Sequence, residues 1–238
     1  TAALAVSAFI LSLAAFTTFE LSIPEIVPFH GDRAFALLDR WMHFGEPWQY
    51  LHAIDPGWFA TVVAFTYGKV WFVEWFGMVL FAAFCARQAR DMRYLWALAL
   101  TTAIIGTLLA TLLSWRSPIF YAVANAEARF PGLMPALAAH DDNQHVIGYA
   151  DCLLQNMRNE TPAPGTGISA MPSMHVAIAT LNALYLANIS RWAGIAGWSF
   201  ALIILFGSVY TGWHYAIDGY VSMLVVGVIW QKTRFLAV

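Results

Sequence analysis

Gly167-Ile168-Ser169-Ala170-Met171-Pro172-Ser173-Met174-His175 opens an apolar run that continues to about Ala187. A turn of small residues, closed by a proline and a serine, delivers a histidine to the first turn of a hydrophobic helix. The unpaired N–H groups and the positive dipole end of such a terminus suit it to holding an anion. Further along, Trp213-His214-Tyr215-Ala216-Ile217-Asp218 stands at the mouth of another apolar run. There the aspartate follows the histidine by four residues, so on a helix the two side chains share a face. Two imidazoles and a carboxylate at the ends of hydrophobic segments outline a reaction centre at a membrane surface.

Composition agrees with a membrane setting. The chain has 238 residues, 60% of them hydrophobic and 11% charged, where a soluble domain carries about 25% charged residues. Sixteen per cent of the residues are aromatic, among them 11 tryptophans, which suits interfacial belts as well as packed bundles. A formal net charge of −2 argues against a nucleic-acid partner. Cys85 and Cys152 are too far apart for a zinc or redox motif, and no disulfide between them is expected. The chain opens on threonine, which predicts that a leading segment has been trimmed.

Working outward, the apolar runs predict an all-α, polytopic membrane protein: a six-transmembrane-helix bundle with an extracytoplasmic amphipathic helix. Residues 2–19 form the first crossing, ended by Pro24 and Pro28. Residues 31–44 carry Phe35, Leu38, Trp41 and Met42 at helical spacing with Asp32, Arg33, Asp39 and Arg40 between them. That is an interfacial helix, which either roofs a site or packs the bundle edge. Asp55-Pro56 reads as an N-cap followed by proline at the first helical position. Residues 57–86 are long for one crossing and contain Lys69 and Glu74. Ionisable groups at membrane depth face a bundle interior or a wet cavity. Lys69 therefore either faces a substrate anion, pairs with Glu74, or is left wet by a break near Gly68. Residues 94–114, 169–188, 193–210 and 215–230 supply the remaining crossings. Between the third and fourth runs a long polar stretch carries Asp141, Asp142, Asp151 and Glu160; connections of such length are usually functional or disordered. The whole reads as one domain over 1–238, with the first crossing and interfacial helix in 1–54 and a catalytic core in 55–238.

Orientation follows from the basic connections. With alternating crossings, Arg87, Arg90, Arg93, Arg191, Lys232 and Arg234 fall on one side, which the positive-inside rule assigns to the cytoplasm. Both termini are then cytoplasmic, while Arg116, His175 and His214 share the outer face. A histidine whose second ring nitrogen is held by a carboxylate can attack phosphorus, and His214 with Asp218 has that spacing. His175 can pass a proton to the leaving oxygen. Arg116, the Ser173 hydroxyl and amides near 172–175 can surround the equatorial oxygens. Neither a metal nor another cofactor is required. Each histidine alone could merely satisfy a local hydrogen bond, and Met171 and Met174 read most simply as core; joint placement on one face favours chemistry.

The segments 169–175 and 214–218 resemble the second and third signatures of the type-2 phosphatidic acid phosphatase superfamily, P-S-G-H and S-R-x5-H-x3-D. They are most similar to its inositol phosphorylceramide synthase-like branch, over roughly residue 55 to the C-terminus. The resemblance implies that His214 forms a phosphohistidine, Asp218 orients it, His175 protonates the leaving group and Ser173 contacts the phosphate, on the non-cytoplasmic face. The first signature, K-x6-R-P, is partial: Leu109 stands in place of the lysine, and Ser117 separates Arg116 from Pro118. Position 208 is serine where the third signature has arginine. The branch commonly lacks both cations, and Lys69 or Arg158 are candidates to compensate. The expected activity is that of a lipid phosphatase or phosphotransferase. Its substrate is a lipid phosphate or phospholipid, and its acceptor is water or an alcohol. Two rivals remain: a transporter using His175, His214 and Asp218 as a proton relay, which would show an inverted repeat, and a metal hydrolase built on His140, Asp141, Asp142 and His145.

Overall fold

Met174–Ala187 is the helix the others surround. Its residues 176–183 are all buried, as expected of a helix apolar on every side. The computed structural model describes residues 2–30, 32–84, 89–121, 129–159 and 172–235. Cys85, Arg87, Glu160 and residues 167–171 of the first motif lie outside them, as does the Arg158 side chain. Every regular element among the described residues is helical.

In chain order, α1 is Ala2–Ile26, α2 Asp32–His43 and α3 Pro47–Ala53. Helix α4 is the continuous Trp58–Phe84, with a wider π turn at Thr66–Val70. Helix α5 joins Ala89–Thr101, a π stretch at Thr102–Leu109 and Ala110–Leu112. Short α6 is Leu133–Ala138, and α7 is Gln144–Arg158. The central α8 is Met174–Ala187, followed by α9 at Arg191–Tyr210 and α10 at Ala216–Lys232.

Four stretches are long and apolar enough to cross a membrane: Val6–Ile26, Trp58–Phe84, Arg90–Leu112 and Arg191–Tyr210. That is the make-up of an integral membrane protein. The two motif-bearing helices are shorter. At about 1.5 Å per residue, the 14 residues of α8 and the 17 of α10 fall short of the roughly 30 Å hydrocarbon layer.

Some boundaries differ from expectation. Helix α1 runs past Phe19 and through Pro24 to Ile26; an apolar segment lying along other helices tolerates one proline, which removes a single N–H donor. Asp55 does not cap α4. Gly57, at φ 85°, precedes the first helical residue Trp58, and its N–H donates to Asp55 Oδ1 at 2.8 Å. The motif is therefore an Asx turn that leads into the helix two residues later.

Helix α2 also faces opposite to a simple packing helix. Asp32, Ala36 and Asp39 are its buried stripe, whereas Trp41 is 75% exposed and Leu38 and Met42 are exposed with it. Leu38, Trp41 and Met42 point away from the bundle while Phe35 packs inward on Trp115, and the acids point inward because they have partners there. Glu74 likewise looks inward and accepts a hydrogen bond from Asn182 Nδ2, while Tyr94 donates to Asn182 Oδ1 at 2.7 Å. Lys69 is exposed, as in the reading that leaves it wet near Gly68, and Glu74 takes its hydrogen bond from α8 instead of pairing with Lys69.

The two ends of the bundle have different chemistry. At one end the Arg90 Nε donates to Asp91 Oδ1 at 3.1 Å, which also accepts from the Tyr185 hydroxyl at 2.6 Å. Arg93 lies over the Trp230 ring at 3.8 Å. The start of α5 and the ends of α8 and α10 thus meet in a basic cluster. His175 and His214 begin α8 and precede α10, at the opposite end. Helix α9 lies against α8 closely enough that a Cβ on Gly197 would come within 2.9 Å of Ala183 Cα, the small-residue seam of apolar helix pairs.

Candidate active site

Ser173 starts α8 as its N-cap, and its Oγ accepts the Val176 N–H at 3.4 Å. Pro172 and Met174 flank it on a cavity of about 600 Å³. His175, in the first turn, projects into the same cavity. Its ring stacks on Tyr67 at 4.5 Å and leans on Trp71 at 4.1 Å. The Trp71 Nε1–H donates to the His175 carbonyl at 3.0 Å. Both sides of this histidine are therefore held by α4.

The second histidine is set by the turn after α9. Gly212 has φ 72°, a conformation glycine enters without the cost a Cβ imposes. Its carbonyl accepts the Ile119 N–H at 3.0 Å, and the His214 N–H returns to the Ser208 carbonyl at 3.1 Å. Gly212→Ala should be damaging on two counts. A Cβ would stand 2.5 Å from Leu133 Cδ2, and the positive φ costs about 1–3 kcal/mol for a non-glycine residue. We expect a lowered thermal midpoint together with a kcat loss exceeding the loss of folded protein, measured on the same detergent-solubilised sample.

His214 Nδ1 lies 3.4 Å from Asp218 Oδ2. Asp218 is fully buried and His214 is 9% exposed. Asp218 Oδ2 also accepts the Tyr215 N–H at 3.0 Å, which pins the carboxylate at the start of α10. The imidazole is within ion-pair reach but not aligned for a hydrogen bond, so among the described residues His214 Nδ1 and Asp218 Oδ1 have no hydrogen-bond partner. Such pairs commonly tighten only when substrate is bound. The His175 and His214 ring centroids are 6.3 Å apart, inclined at 57°, and both rings line the cavity.

Residues not singled out from sequence support this centre. Asp39 of α2 accepts the Ile217 N–H on Oδ1 at 3.1 Å and the Ala216 N–H on Oδ2 at 3.3 Å, capping the helix that carries Asp218. Burial pushes the Asp39 carboxyl above its ordinary range, and those two N–H groups oppose the shift. His43 Nε2 is 2.9 Å from the Tyr220 hydroxyl, so one face of α2 holds α10 at two points. Asp39→Ala would orphan two buried amides, a cost of about 2 kcal/mol. It should also lower kcat more than Asp39→Asn, which keeps an acceptor oxygen; steady-state kinetics of the two variants checks this.

Both π stretches border the cavity, through Tyr67 and Gly68 in one and Gly106 in the other. Wide turns of this kind are frequent at functional sites, and sequence periodicity gives no signal for them. The expected cations are elsewhere. Arg116 donates its backbone N–H to Asp32 Oδ1 at 2.7 Å, its guanidinium lies 3.6 Å from Asp32 Oδ2, and it covers the Phe29 ring at 4.4 Å. Its neighbour Ser117 lines the cavity; Arg116, Ser173 and Lys69 do not. The polar loop residues also disperse. His140 pairs with Asp55 at 3.4 Å, Asp142 accepts from Thr61, and His145 lines the cavity. Among the described residues no three His, Cys, Asp or Glu gather as a metal-binding group.

A helical, membrane-type chain that brings two histidines to one apolar cavity, one of them backed by a buried aspartate, has the build of a membrane-embedded phosphatase-type enzyme. The chain belongs to the PAP2 superfamily, whose family profile matches residues 33–231. The match begins in α2, so the acidic helix that caps α10 lies within the family region. No curated protein and no solved structure matches the chain.

Proposed function

We propose that the protein cleaves a lipid-linked phosphoester through a phosphohistidine formed on His214. One observation carries the reading: two imidazoles stand 6.3 Å apart on a shared cavity, and one of them is backed by a buried carboxylate at 3.4 Å. With Nδ1 turned to Asp218, Nε2 is the nitrogen free to attack phosphorus. Asp218 fixes the tautomer and stabilises the imidazolium. His175 gives its proton to the departing oxygen, then takes one from the acceptor. Amides at the start of α8, the helix that Ser173 caps, contact the phosphate oxygens. None of these steps calls for a metal ion.

The cavity walls favour a lipid. Leu13, Phe16, Phe72 and Trp75 line it from the two candidate spans in α1 and α4, at the depth of acyl chains. We read α8 and α10 as two further crossings, which makes six. The basic cluster around Arg90 and Arg93 would be cytoplasmic, and α2 an extracytoplasmic interfacial helix. On that reading the short α8 and α10 hold the histidines slightly below the outer surface, where a headgroup phosphate sits. Residues 1–238 form one domain. The absent first-signature lysine and third-signature arginine agree with the inositol phosphorylceramide synthase-like branch, and hence with an alcohol as an acceptor beside water.

Quenching the enzyme during turnover of a ³²P-labelled lipid phosphate tests the chemistry. An acid-labile, base-stable phosphoenzyme is expected. It should accumulate in His175→Ala with a substrate whose leaving group needs no proton, while turnover of a poor leaving group falls about 10²–10⁴-fold. A quench that never captures label on protein would overturn the reading.

A further inference from the structure

No lysine or arginine among the described residues lines the cavity, yet phosphoryl chemistry at His214 needs donors around the equatorial oxygens. The cavity supplies them in neutral form. Besides His214 Nδ1, three of its lining residues carry a buried side-chain donor with no hydrogen-bond partner among the described residues: Tyr67, Trp75 and Ser117. An unsatisfied buried polar group costs about 1–3 kcal/mol, so such groups are retained where a ligand completes them. Tyr67 is 9% exposed and Ser117 is 2% exposed. The Trp75 indole is set apart, packed among the Phe9, Trp71 and Phe76 rings.

The two hydroxyls come from different helical segments, one tied to each imidazole. Tyr67 is carried by the π turn of α4, and its ring lies nearly parallel to that of His175, 4.5 Å away and inclined by 14°. The Asp218 charge reaches the phenol as well. Ser117 holds the N-cap of the short turn Pro118–Phe120 in extended backbone, at φ −74° and ψ 160°. A serine there ordinarily spends its oxygen on the first helical N–H groups; here it makes no such cap bond. Its turn is bound to the one that sets His214. Ile119 donates its N–H to the Gly212 carbonyl at 3.0 Å, and the Phe120 ring packs edge-on against Trp213 with centroids 5.7 Å apart. The serine that separates Arg116 from Pro118 is thus the residue on the cavity, while Arg116 is held by Asp32.

We propose that Tyr67 and Ser117 are further catalytic residues, whose hydroxyls clamp the phosphoryl group as neutral donors in place of the cations missing from the cavity. This deepens the phosphohistidine reading and rests on it. Each hydroxyl donates to an equatorial oxygen as the Nε2–P bond forms and the P–O bond to the lipid breaks, the proton for the leaving oxygen coming from His175. Both donate again when the acceptor oxygen attacks phosphorus and the electron pair of the P–Nε2 bond returns to His214. Neither hydroxyl gives up its proton, so one pair of donors serves both halves of the reaction. Apolar walls strengthen a hydrogen bond to an anion, which is what lets uncharged donors suffice.

The test uses the full chain in detergent micelles with ³²P-labelled dioleoyl phosphatidic acid, quenched rapidly so that formation and decay of labelled protein are timed separately. These first-order rates do not depend on how much of a variant is folded. Tyr67→Phe keeps the ring that packs on His175 and removes only the hydroxyl; Ser117→Ala removes an oxygen that has no partner to lose among the described residues. Each should slow both steps about 10–100-fold, the size of one hydrogen bond to a charged group. Each should also raise, by a similar factor, the orthovanadate concentration that halves turnover, since that anion takes the five-coordinate shape of the transition state without a lipid part. Either variant forming and discharging label at wild-type rates overturns the clamp while leaving the phosphohistidine reading intact. Slowing of one step alone overturns it too, because the same oxygens are equatorial in both, and so does unchanged inhibition by vanadate. A wild-type protein that never carries label removes both readings.

Discussion

His214→Ala is expected to remove turnover almost entirely, by at least about 10⁴-fold in kcat, the scale on which nucleophile deletions fall. No other ring in the cavity can take over. His175 is the nearest imidazole, at 6.3 Å between centroids, but its faces are packed on Tyr67 and Trp71 rather than against a carboxylate. The substitution should be tolerated structurally. His214 Nδ1 has no hydrogen-bond partner to lose among the described residues, and Asp218 Oδ2 keeps the Tyr215 N–H. The His214 backbone N–H still reaches the Ser208 carbonyl. Phosphate release and the acid-labile phosphoenzyme should therefore vanish together, from a protein that still elutes as a folded species. A variant retaining a tenth of wild-type activity would remove His214 from the nucleophile's role.

The second large effect belongs to Asp218→Asn. An amide can still accept from the Tyr215 N–H, so the start of α10 is kept, but it cannot stabilise an imidazolium and presents the wrong partner to Nδ1. Loss of the tautomer-fixing carboxylate in such a pair costs about 10³–10⁴ in kcat. The substrate contacts proposed here lie on the other side of the ring, so KM should move by no more than severalfold. A large KM change at preserved kcat would show that Asp218 serves binding rather than chemistry.

How much of this centre was legible follows from the length scale of each signal. The His214–Asp218 pair is separated by four residues, and helix geometry alone puts such side chains together. The Ser173 cap with His175 in the following turn is also local, as is the acidic and apolar patterning that marked α2 as a surface helix. What patterning could not say is which face of α2 turns inward. Its two leucines, methionine and tryptophan are left exposed, and Asp32 and Asp39 are buried because the Arg116 and Ala216–Ile217 amides await them. Those partners lie 84 to 178 residues away in the chain. No periodicity within twelve residues encodes them.

Lys69 and Arg116 show the same limit in reverse. Charge near the motifs suggested a phosphate clamp, yet Lys69 is exposed and Arg116 is engaged by Asp32. By itself the sequence determined the membrane setting, the helical class, the family and the pairing of His214 with Asp218, because composition, apolar run length and i to i+4 spacing are properties of the chain alone. Only the tertiary structure decided that His175 meets His214, that two π-bulged helices widen the space between them, and that Glu20 from the first helix closes its far wall. Those are meetings between distant segments, fixed by how apolar surfaces pack and where buried polar groups find partners.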